Sequence, residues 1–332
     1  MAFLEEFTMS QSITILSGVA GFVGLTQWRE ALKLSTRAAL QRRATFGWLE
    51  LLNSHPLFVD LVKARPRLIY KIYRPYLTDT MNCVQRLELL RTHYRHLFRL
   101  GLGPLAVQAA RGPVTLANIE GKGGLHYQLH LRAIEPMERE GELVLQLMQD
   151  GGLVYSCAFS FMQGETGMML GIGCMQGPKD ERGLQRIKDA TRELHGMRPK
   201  NMMIKLLSQF AADHGCVALR LVGNDNRTVR SATRQGKVHA DYDTLWQELG
   251  AVQRADGDYQ LVSETICAPD LAAIPSKKRS EARKRHETLC ELAQAMAISL
   301  HAPRIEAVPT PLGQQYVTLA PGARDGDEYA LA

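Results

Sequence analysis

The sequence predicts an α+β fold, and three patterns carry that prediction. Apolar residues recur at helical spacing in the first 115 residues. They then alternate at period two through four runs between residues 125 and 174. A helix, a strand, a short helix and a strand follow, and a long basic helix comes after them. The expected organisation is a helical N-terminal region (1–115), a mixed, largely antiparallel α/β core (116–265), a basic C-terminal helix (266–302) and a flexible tail (303–332).

In the helical region, Val84, Leu87, Leu90, Tyr94, Leu97 and Phe98 share one helix face, with Arg86, Arg91, Arg95 and Arg99 on the others. His55-Pro56 and Arg74-Pro75 divide the upstream sequence into shorter helices. Leu125, Tyr127, Leu129 and Leu131 then alternate with polar residues, and Leu143, Leu145 and Leu147 alternate in the next run. After Asp150-Gly151-Gly152, a third run places Leu153, Tyr155, Cys157, Phe159 and Phe161 on one face. A turn at Gln163-Gly164-Glu165 leads to Met168, Leu170, Ile172 and Cys174. Short turns between alternating runs predict an antiparallel meander of four strands.

Residues 178–194 read as a charged loop, and Pro199–His214 as a helix that buries Met203, Leu206, Leu207 and Phe210 and closes at Gly215. Val217, Leu219 and Leu221 predict a strand. A polar looped insertion runs from Asn224 to about residue 240, then a short helix around Tyr242–Leu249 and a strand near Tyr259–Val262. The run from Ser276 is helical and basic, and beyond Pro303 the Pro, Gly and acidic content predicts a flexible tail.

The chain has 332 residues, 45% of them hydrophobic and 22% charged, the composition of a soluble globular protein. A net charge of +6 and a pI near 9.0 favour anionic partners. Six scattered cysteines without a CxxC fit a reducing cytoplasm. The apolar run Ile13–Leu25 is broken by Gly18, Gly21 and Gly24 and is shorter than the roughly 20 residues of a membrane span. Glu5 and Glu6 replace the basic start of a signal peptide, so neither a membrane span nor a signal peptide is expected, and a buried or membrane-surface segment is the alternative.

No metal site is predicted. His126 and His130 share a strand face but lie roughly 13 Å apart. His93 and His96 read as helix-surface residues without an acidic or cysteine partner. Neither GxSxG nor a Walker loop is present.

The most informative stretch is Met168–Asn226, where a helix N-terminus lies beside the end of a strand. Backbone N–H groups there can hold an anion. Arg198 and Lys200 would bring charge to a phosphate, Gly196 would form the turn, and His195 is the acid/base candidate. The alternative is a structural turn with solvated basic residues. Lys277, Lys278, Arg279, Arg283, Lys284 and Arg285 wrap their helix instead of lining a stripe. They read as a solvated helix, a surface for anionic lipid or nucleic acid, or, through Lys277, Lys278 and Arg279, a lid over a donor's phosphates.

This element order resembles that of Gcn5-related N-acetyltransferases. Asn224 just after the strand, Tyr242, and the run Glu248-Leu249-Gly250-Ala251 match that pattern. The resemblance implies a cofactor pyrophosphate at the helix N-terminus and a late tyrosine, Tyr242, that protonates a leaving thiolate. The expected glycine-rich loop is missing; His195-Gly196-Met197-Arg198-Pro199-Lys200 stands in its place.

A second resemblance spans residues 50–290. Arg74-Pro75-Tyr76-Leu77, Arg86, His93-Tyr94, Gly171–Gly177, Leu194–Lys200, Tyr242-Asp243 with Trp246 and Glu248, and Pro275–Glu281 are similar to the VirK/YbjX family, DUF535, of Gram-negative bacteria. That resemblance implies a part in virulence, envelope integrity or tolerance of antimicrobial peptides, and it carries over no catalytic residue. Together these features predict a cytoplasmic protein that transfers an acyl or aminoacyl group from a phosphate-bearing donor, acyl-CoA or aminoacyl-tRNA. His195, Asn224 and Tyr242 would sit near the chemistry. The competing classes are a non-catalytic adaptor and a peripheral binder of anionic membrane or nucleic acid, including tRNA.

Overall fold

A computed structural model describes residues 12–178, 180–229 and 241–302. The first part is helical: α1 (Gly24–Leu40), α2 (Arg42–Leu52), α3 (Leu57–Ala64), a 3-10 run over Pro66–Tyr73, α4 (Cys83–Arg99) and α5 (Gly103–Arg111). The breaks follow the chemistry of the sequence. Pro66 opens the 3-10 run, and Asn82 caps α4 in a reciprocal pair with Gln85.

Eight strands form one sheet: β1 (Val114–Glu120), β2 (His126–Ala133), β3 (Leu143–Gln149), β4 (Gly152–Gln163), β5 (Met168–Gln176), β6 (Cys216–Leu221), β7 (Val252–Gln253) and β8 (Tyr259–Val262). Their order is β1-β2-β3-β4-β5-β6-β8-β7, antiparallel except for the parallel pair β5–β6. The predicted meander is β2–β5. Helices α6 (Glu181–Glu193) and α7 (Pro199–Asp213) make the crossover that a parallel pair requires. Helix α8 (Tyr242–Glu248) precedes β7, and α9 (Ser276–His301) runs back along α7 and β1. The fold is α+β with a mixed sheet, as the sequence predicts.

The structure corrects five local readings. β1 was not anticipated; a register shift between Thr115 and Ala117 breaks its alternation. The two-residue β7 is too short to leave a pattern. The charged segment 178–194 is helix α6, whose N-terminus Asp180 caps by accepting from Gly183 N–H at 2.8 Å. It buries only Gly183 and Ala190, so its charged residues hide the helical period. His93 and His96 are buried against the sheet, not on the helix surface, while Val84 is exposed. Arg227, Thr228 and Val229 are buried rather than looped out; the rest of that insertion (230–240) and the predicted tail (303–332) lie outside the described residues.

Where the helical layer meets the sheet, the core holds a buried polar cluster. The Lys71 ammonium pairs with the Glu142 carboxylate, which also accepts from the Tyr94 hydroxyl. Ser160 Oγ accepts from Glu142 N–H at 2.9 Å and lies 2.8 Å from the Tyr76 hydroxyl. Burial pushes the Glu142 carboxyl up, but Lys71 and His93 outweigh it and hold it below the usual range. The chain segments that meet here approach closely because of glycine. A Cβ at Gly171 would stand 2.9 Å from Leu77, and one at Gly173 would stand 2.0 Å from the Glu140 carbonyl oxygen.

Candidate functional site

The turn between α6 and α7 sets the geometry. His195 and Gly196 adopt left-handed backbone angles (φ 55° and 76°), and Gly196 N–H returns to Thr191 O at 2.8 Å. Gly196 thus closes α6, beneath α9: a Cβ there would lie 3.1 Å from Glu281 Oε1. Arg198 then takes the N-cap position of α7 in extended conformation, and Pro199 opens the helix.

α6 and α7 enclose an open cleft of about 550 Å3. Lys188 and Arg192, one turn apart on α6, face Arg198 and Lys200 across it, with Tyr155 and Ile187 among its apolar lining. Lys200 Nζ donates to Glu248 Oε2 at 3.0 Å, and Arg198 lies 3.9 Å from the same oxygen. Lys200 first, and then Arg198, hold the Glu248 carboxyl below its ordinary range. Arg192 pairs with Asp189. Four cations against two carboxylates leave an excess of two positive charges around one concavity. That arrangement suits a multiply charged anion.

Arg198 also borders a second cleft of about 610 Å3 on the other side of α7. Its floor includes Ile204, Leu261 and Leu289, and its rim carries Lys205, Arg285 and His286. The extended segment from β8 to α9 forms one wall, tied to α7 by Ser208, which bonds both Glu264 N–H (2.8 Å) and Glu264 O (3.1 Å).

The other candidate residues fall elsewhere. His195 is half-buried in the turn. Burial, then Lys284 and Lys122, lower its pKa, so the imidazole is neutral near pH 7. Asn224 Oδ1 accepts from Tyr242 N–H at 2.9 Å and its amide donates to Asp241 at 2.8 Å, bracing the start of α8.

Tyr242 is fully buried where β5 and β6 part. Their pairing ends at Ile172 and Leu221, and the Tyr242 hydroxyl takes Met175 N–H and O, each at 2.7 Å. Burial drives its pKa far up, and the Arg227 guanidinium stacks 3.9 Å from its ring centre. Lys277, Lys278 and Arg279 are exposed in the first turn of α9 and line neither cleft; Arg279 bonds Ile274 O at 2.9 Å.

The structure therefore joins Arg198 and Lys200 in one cleft, pairs Asn224 with Tyr242 in a brace, and leaves the α9 trio apart. Sequence reasoning missed Lys188 and Arg192 as parts of the cleft and Glu248 as the carboxylate paired with Lys200. The i, i+4 spacing of Lys188 and Arg192 was the available signal, once 178–194 is read as helix. Among the described residues no group of three or more His, Cys, Asp or Glu could hold a metal ion.

These features define an α+β protein with a mixed sheet and a cationic cleft at a helix–helix turn. The chain belongs to the VirK/YbjX family: the family described as "Protein of unknown function (DUF535)" matches residues 24–298. It is 30% identical over 270 residues to "Uncharacterized protein YbjX" of Escherichia coli (strain K12), covering 80% of this chain and 82% of that one. It is 26% identical over 218 residues to "Membrane protein LapB" of Mannheimia haemolytica, covering 65% of this chain and 90% of the relative. A solved cAMP-binding acyltransferase from Mycobacterium smegmatis aligns with a TM-score of 0.28 at 12% identity, over 59% of this chain and 61% of its own. At that level the likeness bears on neither fold nor activity.

Proposed function

We propose that this protein binds a phosphate-bearing acyl donor, its phosphates in the α6–α7 cleft and its acyl part beyond Arg198 in the second cleft. The observation that carries the reading is the convergence of Lys188, Arg192, Arg198 and Lys200 on one concavity. The apolar floor across Arg198 favours an acyl over an aminoacyl group. The acyl group then passes to an acceptor in service of the cell envelope, with the neutral His195 of the α6–α7 turn as the candidate base. The name of the relative LapB, a membrane protein, agrees with work at the envelope.

A second reading, a non-catalytic adaptor, is favoured by one observation. Tyr242 fills the parting of β5 and β6, and its hydroxyl is occupied by backbone groups. Thermal stability against acyl-CoAs, free CoA, nucleotides and charged tRNA separates the readings. A ligand at 100 times its Kd adds about 2.7 kcal/mol. A shift with acyl-CoA that exceeds the shift with CoA, is lost in Arg198→Ala with Lys200→Ala, and is accompanied by release of free CoA supports the transferase. Binding without turnover supports the adaptor, and no shift with any donor sinks both cleft-based readings.

A further inference from the structure

We propose that the exposed face of α1 docks on an anionic phospholipid bilayer. Among the described residues, thirteen large apolar side chains are exposed, and seven of them lie between residues 16 and 46. Scattered singly such residues mean little, but a cluster of this kind marks an interaction surface.

On α1 the cluster has helical order. Leu25 (89% exposed), Trp28 (77%) and Leu32 (70%) follow i, i+3, i+7 spacing and span an arc of about 60° on the helix. Leu34, the one buried residue of α1, points the opposite way. The helix therefore has two apolar faces, and the protein covers only one. Val23 precedes this stripe, and Leu40 and Phe46, also exposed, follow it.

Charge selects the occupant. Between residues 24 and 46 the chain carries Arg29, Lys33, Arg37, Arg42 and Arg43 against Glu30 alone. Glu30 is shared by Arg29 at 3.7 Å and Lys33 at 2.9 Å. Arg29 lies about 40° beyond the Leu25 edge of the apolar stripe, and Arg42 and Arg43 are exposed just after the helix. A second copy docking on this face by two-fold symmetry would set these cations against themselves. An anionic bilayer instead takes the tryptophan and leucines at the acyl boundary and the cations at the headgroups. No described helix is long and apolar enough to cross a membrane, so α1 would lie in the interface plane.

The tryptophans supply a direct probe, because Trp48 and Trp246 are fully buried and Trp28 is not. The full-length protein is mixed with vesicles of phosphatidylcholine alone or with phosphatidylglycerol, and Trp emission and co-sedimentation are followed. The expected result is a blue shift and sedimentation with the anionic vesicles only. Trp28→Ser with Leu32→Ser should weaken binding at least tenfold, and Arg42→Ser with Arg43→Ser should weaken it without altering the fold. Unchanged binding in the Trp28/Leu32 variant would overturn the proposal. So would equal binding to neutral vesicles, loss only on replacing Lys277, Lys278 and Arg279, or a blue shift that grows with protein concentration without lipid.

Discussion

His93 should make the fold acid-sensitive at a defined pH. Its ring is fully buried on α4, and Nδ1 accepts from Phe161 N–H at 3.0 Å. That bond fixes the neutral tautomer with its proton on Nε2; a second proton would have to displace the Phe161 N–H. Burial, the largest cause, lowers the His93 pKa from 6.5 to about 4, with Glu142 opposing and Lys71 assisting. Between those values the unfolded chain binds a proton that the folded one refuses. Stability is therefore complete above pH 6.5 and falls as pH drops toward 4. The whole shift amounts to about 3 kcal/mol, and the part lost by pH 5 is about 2 kcal/mol. Both are large beside a total of roughly 5–15 kcal/mol. Urea unfolding from pH 7.5 to 5 measures it in the parent and in His93→Asn, whose Oδ1 can keep the Phe161 bond. The variant should be less stable at pH 7.5 yet lose about 2 kcal/mol less on acidification. Equal losses in the two proteins would refute the argument, since the other histidines contribute to both.

Three further outcomes follow from the same interior. Glu142→Gln leaves the Lys71 ammonium buried without its counter-charge and should cost about 3–5 kcal/mol, whereas Glu142→Leu with Lys71→Met should cost less than the single change, both read by chemical denaturation. Gly173→Ala drives a methyl into the Glu140 carbonyl and should cost about 1–3 kcal/mol or more, seen as a lowered Tm. Tyr242→Phe strips the Met175 backbone of its partner and should cost about 1–3 kcal/mol in urea unfolding; an unchanged midpoint would show that the hydroxyl does not brace the strand.

Much of this architecture was legible in the sequence because period-two and period-3.6 patterns report burial on one face. β2 and α7 show this directly, whereas β3 to β5 are buried on both faces and were read from the turns that separate their apolar runs. The signal failed where charge or irregularity masked the period. α6 carries its charged residues over most of its surface and buries two small residues, so it reads as loop. A register shift hid β1. His93 read as a surface residue because a buried imidazole needs a backbone donor, and Phe161 lies 68 residues away in sequence. Of the site, Arg198 and Lys200 were legible from their place at a helix start. The i, i+4 pair Lys188 and Arg192 was lost with the reading of α6 as loop, and Glu248 joins through the fold, 48 residues from Lys200. Asn224 and Tyr242 were singled out by resemblance, and the structure gives both a bracing role at α8.

The central claim is that the α6–α7 cleft holds a multiply charged anion against the competition of Glu248. It is tested most directly by calorimetric titration of pyrophosphate into the parent, Glu248→Gln, and Lys188→Ala with Arg192→Ala, at two salt concentrations. Removing the Glu248 charge should tighten binding, removing the two α6 cations should weaken it, and salt should weaken binding to the parent. The same Kd in all three proteins, or no heat in any, would contradict the account.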